Sequence, residues 1–75
     1  MLLSNCTTGD ELRIIDLSGV NHLTRKRLHD LGVHEGMKIR CQTGMLFGGP
    51  LILWAEEQKI GIRRKDAAGI EVEPL

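Results

Sequence analysis

A chain of 75 residues is too short to build two hydrophobic cores, so the sequence predicts one small domain over residues 1–75. Apolar residues make up 41% of the chain and charged residues 27%, which is the composition of a folded protein rather than a disordered one. The ten basic and ten acidic residues cancel, so no long-range field is expected to draw the chain to nucleic acid or to an anionic membrane.

The first residues, MLLSNCTTGDE, lack the charged start and the long apolar run of a signal peptide. No apolar run approaches the roughly 18 residues that a membrane-spanning helix needs. We therefore expect a cytoplasmic protein that does not span a membrane. Cys6 and Cys41 are far apart in the chain and form no CxxC pattern, which predicts two separate, small apolar residues.

The first predicted strand covers residues 11–19, ELRIIDLSG. Its apolar residues begin in one phase, with Leu12 and Ile14, and then change phase to Ile15 and Leu17. Such a shift is typical of a strand that crosses a β-bulge. The pattern predicts a long first strand with one irregularity.

A short helix is predicted in NHLTRKRLHDLGV, with Asn21 as its N-cap. The apolar residues that share one sector of this helix are Leu23, Leu28 and Leu31. We expect Leu28, Leu31 and Val33 to hold the helix against the core. Gly32 stands where a left-handed residue ends a helix, and Val33 would then contact Leu28 in a Schellman motif.

The second half of the chain predicts further strands. Residues 36–44, GMKIRCQTG, alternate cleanly between apolar and polar, and LILWA and KIGIR predict a hairpin. KDAAG predicts a single helical turn, and IEVEP predicts a last strand. Five short strands and one short helix favour a mostly β fold, a small SH3-like barrel that leaves few sheet edges unpaired.

Four motifs occur in order along the chain. The first, RL…LGV..G..I, consists of Arg27, Leu28, Leu31, Gly32, Val33, Gly36 and Ile39. The others are GGPLIL at residues 48–53, IGIRR at residues 60–64 and AAGIEV at residues 67–72. Together they resemble the ferrous iron transport protein A family, FeoA, over essentially the whole chain.

The resemblance implies an SH3-like barrel with a helix inserted after the first long strand. It also implies a small cytoplasmic accessory protein that binds the cytoplasmic part of the membrane ferrous-iron transporter FeoB, which carries a GTP-binding domain, and that supports or regulates transport. The same barrel resembles the C-terminal domain of metal-dependent repressors, so a divalent-metal sensor is the alternative. Gly61 departs from the family, which usually has alanine there, and Thr8-Gly9 stands where Pro-Gly is common.

Two sets of residues are candidates for contact with a partner protein. Met45, Leu46 and Phe47 are large apolar residues between glycines, which either lie exposed at a loop tip or fold back to plug the barrel. The cationic candidates are Arg25, Lys26, Arg27, Arg63 and Arg64. We expect these cations to face an acidic protein surface, because complementary charges raise the association rate and orient docking. Weak self-association through a barrel edge or residues 45–47 is a further alternative.

Nucleic acid is not an expected partner. Asp30 and Glu35 follow the cations at once, and only Phe47 and Trp54 could stack on bases. Catalysis is not expected either, because the sequence contains no P-loop and no nucleophile beside a base. The chain is therefore predicted not to be an enzyme.

A metal site is the remaining chemical alternative. Its candidate ligands are His29, Asp30, His34 and Glu35. A glycine separates the two histidines, so they do not share a helical face, and no HExxH or paired-cysteine pattern is present. We therefore expect no resident cofactor, and a weak divalent-ion site is left open.

Overall fold

The computed structural model of the chain describes residues 1–43 and 49–75. In chain order the elements are a 3₁₀ turn Leu3–Asn5, β1 Glu11–Asp16, α1 His22–Asp30, β2 Lys38–Thr43, β3 Leu51–Ala55, β4 Gln58–Ile62, α2 Arg64–Ala67 and β5 Glu71–Pro74. The strands form one antiparallel sheet in the order β4-β3-β2-β1-β5. The predicted mostly β fold, with a short helix after the first long strand, is confirmed.

The core lies on the inner face of this sheet, where alternate residues of each strand are buried. The predicted alternation of β2 is confirmed, since Ile39 and Cys41 are buried while Lys38 and Arg40 are exposed. The predicted hairpin is also confirmed, since β3 pairs with β4 in a continuous antiparallel ladder. The helical turn predicted in KDAAG is α2, and IEVEP supplies β5.

The irregularity predicted in the first strand is present. The register of β1 against β5 shifts between Ile14 and Asp16. At this irregularity Ile15 is 42% exposed, whereas Leu12, Ile14 and Leu17 are buried. Ile15 lies at the register shift, so its side chain points outward, and Leu17 resumes the inward phase after it.

Both ends of α1 are built as the sequence predicts. The Asn21 side chain accepts a hydrogen bond from the Thr24 N–H at 2.8 Å and so caps the first turn. At the other end the N–H of Gly32 donates to the His29 carbonyl, and the N–H of Val33 donates to the Leu28 carbonyl, both at 2.9 Å. Gly32 has φ +86°, and the helix ends in a Schellman motif. Glycine is favoured at this position because a Cβ atom would be strained at a positive φ.

The prediction that Leu28, Leu31 and Val33 hold α1 against the core is confirmed for Leu28 and Val33, which are buried, and is wrong for Leu31, which is 37% exposed. Leu23, which shares the predicted apolar sector of the helix, is 76% exposed. The physical reason is the place of α1 beside β4 and α2, where polar contacts replace apolar ones. Thr24 and Arg27 make those contacts, so only Leu28 reaches the core from this helix.

The first residues extend the sheet beyond β5, a feature that the sequence did not predict. The Leu3 N–H donates to the Ile70 carbonyl at 2.9 Å, and the Val72 N–H donates to the Met1 carbonyl at 2.7 Å. Leu3 itself is buried. These bonds cover the outer edge of β5 and satisfy backbone groups that an edge strand would leave open.

Both cysteines are free thiols buried in the hydrophobic core, as expected for small apolar residues. Burial is the main cause that raises the pKa of the Cys6 thiol to about 12, and the presence of Cys41 adds to it. The Cys6 thiol is therefore protonated at neutral pH.

Alkaline pH should weaken the fold through Cys6. The thiol has an ordinary pKa of 9.0 and a pKa of about 12 in the folded protein, so the unfolded chain loses its proton first as pH rises. The stabilising term is complete below pH 9.0 and is lost toward about pH 12. The loss is at most about 1.4 kcal/mol per pH unit in that window. Thermal denaturation should show a steeper fall above pH 9.0 for wild type than for Cys6→Ala, and parallel curves would contradict this prediction.

Gly61 occupies an ordinary strand position, so Gly61→Ala should stabilise the protein. A Cβ there would lie 3.5 Å from the Ile52 Cδ1 atom, which is normal van der Waals contact. Alanine reduces the freedom of the unfolded chain and should raise the free energy of unfolding by about 0.5 to 1 kcal/mol. Urea denaturation measures the change, and a loss of stability would show that the strand cannot accept a side chain here.

Two other glycines mark a close crossing of the backbone. The loop before α1 and the turn before β5 meet at Gly19 and Gly69. A Cβ on Gly69 would lie 2.7 Å from the Gly19 carbonyl carbon and would overlap its oxygen. A Cβ on Gly19 would overlap the Gly69 carbonyl oxygen in the same way. The crossing therefore depends on the absence of side chains at both positions.

Candidate docking surface

Three polar contacts fix α1 along β4 and α2. The Thr24 hydroxyl donates to the Asp66 carboxylate at 3.4 Å, and the Arg27 guanidinium donates to the Gly61 carbonyl at 3.3 Å. Near the end of the helix, the Gln58 amide donates to the Leu31 carbonyl at 3.0 Å. Residues that come later in α1 contact residues that come earlier in α2 and β4. The helix therefore runs antiparallel to β4.

This packing brings together two basic triplets that are far apart in the sequence. The Thr24–Asp66 bond joins the residue before the first triplet to the residue after the second. The cationic end, as we name it, comprises Arg25, Lys26, Arg27, Arg63, Arg64 and Lys65, all exposed. It contains six of the ten cations of the chain. Net neutrality therefore hides a strongly uneven distribution of charge.

Within the cationic end the first triplet does not form one continuous ridge. Successive helical residues point about 100° apart. Arg27 turns toward the Gly61 carbonyl, while Arg25 and Lys26 turn to the other side. There they line a shallow groove of about 360 Å³ together with His22 and His29. The cations of the first triplet thus lie on two neighbouring surfaces.

Three acidic side chains lie near the cationic end. Lys26 and Asp30 form an ion pair at 3.5 Å, but both side chains are more than 60% exposed, so the pair is screened by water. Asp66 is buried beneath Thr24. The pKa of Asp16 lies below its usual range, chiefly because Ser18 donates to it, and the Arg25 charge adds a small effect.

One large apolar side chain is exposed beside these cations. Leu23, on the first turn of α1, is 76% exposed and has cations two, three and four positions after it. The sequence pattern placed Leu23 in one apolar sector of the helix with Leu28 and Leu31. The exposure of Leu23 could have been predicted from the four polar or charged residues that separate it from Leu28, since they make the apolar face of the helix very narrow.

The predicted metal ligands do not form a cluster in the structure. His29 lines the α1 groove, whereas His34 contacts the Glu35 carbonyl through Nδ1 at 2.9 Å. The Glu35 carboxylate accepts the Leu17 N–H at 2.9 Å, which gives it a structural role. Within residues 1–43 and 49–75, no three His, Cys, Asp or Glu side chains are grouped so that they could hold a metal ion.

The remaining sequence candidates have different outcomes. Arg63 and Arg64 lie in the cationic end, next to α1 as described above. Met45, Leu46 and Phe47 fall outside the residues that the structure describes. Their role therefore stays a prediction. Among the described helices, none is both long enough and apolar enough to cross a lipid bilayer.

Comparison with known families identifies the chain. The family model for the FeoA domain matches residues 1–74. The chain belongs to the FeoA family. Its association with ferrous iron transport follows from that family, as the sequence motifs implied. No curated protein sequence matches the chain significantly.

This FeoA domain is similar to solved structures of other FeoA proteins. The solution structure of the FeoA protein from Chlorobium tepidum is 29% identical with a TM-score of 0.91, and the match covers 100% of this chain and 70% of that chain. A zinc-complexed FeoA from Stenotrophomonas maltophilia, described as a prokaryotic SH3 domain protein, is 21% identical with a TM-score of 0.83 and coverages of 97% and 89%. The second likeness supports the SH3-like fold alone.

The predicted likeness to metal-dependent repressors is also present at the level of fold. A manganese-dependent transcriptional repressor is 17% identical with a TM-score of 0.89, and the match covers 100% of this FeoA domain but 41% of the repressor chain. The shared part is thus one domain of a longer protein. At this identity the likeness shows a common fold and nothing about the ligand of this chain.

Proposed function

We propose that this FeoA domain is a cytoplasmic accessory protein that docks on the cytoplasmic part of the membrane ferrous-iron transporter and supports or regulates transport. The transporter is FeoB, with its GTP-binding domain. The observation that carries the proposal is the cationic end, because it gives a neutral protein a strongly charged face. Membership of a ferrous iron transport family supports the choice of partner.

The chemistry of the cationic end fits an acidic protein surface. Exposed arginines and lysines attract carboxylates at a distance and orient the encounter, which raises the association rate. Leu23 adds an apolar contact at the edge of this surface. Burying one leucine contributes about 1.5 to 3 kcal/mol, whereas association itself costs about 4 to 15 kcal/mol. The complex is therefore expected to be transient unless other residues add to it.

Residues 45–47 are the proposed source of the additional contacts. Met45, Leu46 and Phe47 are apolar and flanked by glycines. If all three were buried against the transporter, they would contribute about 4 to 9 kcal/mol, enough to offset much of the cost of association. In this proposal the cations set the orientation and the apolar residues set the lifetime of the complex.

The experiment that tests docking uses the full transporter in lipid nanodiscs. Binding of the wild-type chain is measured by biolayer interferometry at low and at physiological salt. Docking through the cationic end predicts binding that weakens as salt rises, because exposed charges are screened beyond roughly 10 Å. An absence of binding at low salt, with a folded chain and an intact transporter, would overturn the proposal.

A second candidate is a divalent-metal-binding regulatory domain. The zinc in the Stenotrophomonas maltophilia structure favours it. In this chain the histidines to test are His29 and His34, together with the acids beside them. Replacing both histidines with alanine should abolish Fe(II) binding measured by anaerobic calorimetry if this candidate is right. Unchanged affinity in the double variant would remove it.

A further inference from the structure

A groove of about 450 Å³ lies beside strands β2 and β3, and the docking function makes no use of it. Its lining includes the aromatic ring of Trp54, two cations and three acids. The charged residues are Lys38, Arg40, Glu11, Glu56 and Glu57. All five are exposed, and Trp54 is half-buried. The groove shares no residue with the cationic end.

The strand register places the indole of Trp54 among these charges. Arg40 on β2 and Lys59 on β4 are its two cross-strand neighbours. Leu53 and Ala55 are buried, so by strand alternation Trp54 points to the other face of the sheet. The Lys59 ammonium lies 5.6 Å from the centroid of the Trp54 ring. An aromatic side chain is thus held at the surface between two cations.

The charges of the groove are not neutralised within the chain. Among the ion pairs formed by residues 1–43 and 49–75, none involves a charged side chain of the groove. A partner with charges of one sign would be attracted by some of these groups and repelled by the others. A second copy of the chain carries both signs on the same surface, so two grooves can neutralise each other.

The turn that carries two of the acids is built against local preference. Glu56 has φ +61°, and among the described residues it is the only one other than glycine with a positive φ. A two-residue turn between paired strands favours glycine or asparagine at such a position. Glutamate is strained there because of its Cβ atom. The fold therefore gives no reason for an acid at this position, whereas contact with a partner does.

We propose that this groove is the interface of a weak symmetric dimer of the chain. In a two-fold arrangement the same surface of each copy meets the other. Lys38 and Arg40 of one copy then face Glu56 and Glu57 of the second, and the same contacts recur at the symmetric position. Trp54 of each copy becomes covered. This surface differs from the barrel edge and from residues 45–47, and the inference is independent of the docking proposal.

The size of the molecule sets the strength to expect. Its extents of 26 and 23 Å give one face an area of about 600 Å² as their product. Two such faces would bury at most about 1,200 Å² in total, which is the lower limit of specific protein interfaces. We therefore expect dimers to form only at chain concentrations of about 0.1 to 1 mM.

The test measures average mass by sedimentation equilibrium, and fluorescence, from about 10 µM to about 1 mM chain. Trp54 is the only tryptophan and the chain has no tyrosine, so the emission reports on the groove alone. The proposal predicts a mass that rises from monomer toward dimer, with emission that shifts to shorter wavelength over the same concentrations. A wild-type chain that stays monomeric at about 1 mM overturns it.

Two charge-reversal variants make the test specific to this groove. Lys38→Glu/Arg40→Glu leaves acids as its charged residues, and Glu56→Lys/Glu57→Lys leaves mainly cations. Each variant alone should dimerise at least about tenfold more weakly than wild type, because like charges then face each other. Mixed in equal amounts, the two variants should form a heterodimer, since opposite charges meet again. Circular dichroism checks that both are folded.

The control is Arg25→Glu/Arg63→Glu, which changes the cationic end and should dimerise like wild type. Groove variants that each dimerise with wild-type affinity would assign self-association to another surface and overturn the proposal. A mixture of the two groove variants that stays monomeric overturns it as well. Because the control alters transporter docking and leaves the groove intact, failure of one proposal can be distinguished from failure of the other.

Discussion

Gly69→Ala is expected to lower the free energy of unfolding by about 3 kcal/mol, a large share of the stability of a domain this small. The new methyl group would overlap the Gly19 carbonyl oxygen and lie 3.2 Å from the Val20 nitrogen. These neighbours are backbone atoms, which cannot rotate away as a flexible side chain does. The loop before α1 would have to separate from the turn before β5. Urea denaturation followed by circular dichroism measures the loss.

Gly61→Ala is the matched control for this prediction, because it adds the same methyl group where space exists. The two variants should change stability in opposite directions. A Gly69→Ala variant within about 0.5 kcal/mol of wild type would show that the crossing can open at little cost. A variant that fails to fold at all agrees with the prediction, provided that Gly61→Ala folds under the same conditions.

Reversing charge in the cationic end is expected to weaken binding to the transporter by about ten- to a hundredfold at low salt. The variant Arg25→Glu/Arg63→Glu changes one residue from each triplet. Both side chains are exposed, so the fold should be retained. Opposed charges at two positions replace attraction by repulsion and should act mainly on the association rate. Stopped-flow or interferometry measurements resolve that rate.

A variant of equal charge change elsewhere makes this test specific. Lys38→Glu/Arg40→Glu alters two exposed cations on β2 that are not part of the cationic end. If a particular surface docks, this control should keep affinity within about threefold of wild type. Equal losses in the two variants would mean that overall charge, rather than the cationic end, governs binding.

Local patterns in the sequence were sufficient to predict much of the fold. The strict alternation of β2 and the cap residues of α1 depend on neighbours in the chain, so a pattern can reveal them. The exposure of Leu23 and of Ile15 could not be predicted from a local pattern, because it depends on tertiary packing. Leu23 is exposed because α1 lies beside β4 through polar contacts, and Ile15 because it lies at the register shift of β1 against β5.

The cationic end also depends on tertiary packing, so the sequence pattern alone could not predict it. Both basic triplets are visible in the sequence, but their meeting depends on the contacts of Thr24 with Asp66 and of Arg27 with Gly61. The net charge of zero suggested that the protein has no long-range electrostatic field, because net charge averages over the whole surface.

The most direct test of docking through the cationic end is an amide-resolved NMR titration of this chain with the cytoplasmic part of the transporter. Docking predicts shifts confined to residues 23–27, residues 63–65 and residues 45–47. The Lys38 and Arg40 amides on β2 should stay unchanged. Shifts centred on β2, or no shifts with a folded and concentrated partner, would contradict docking through the cationic end.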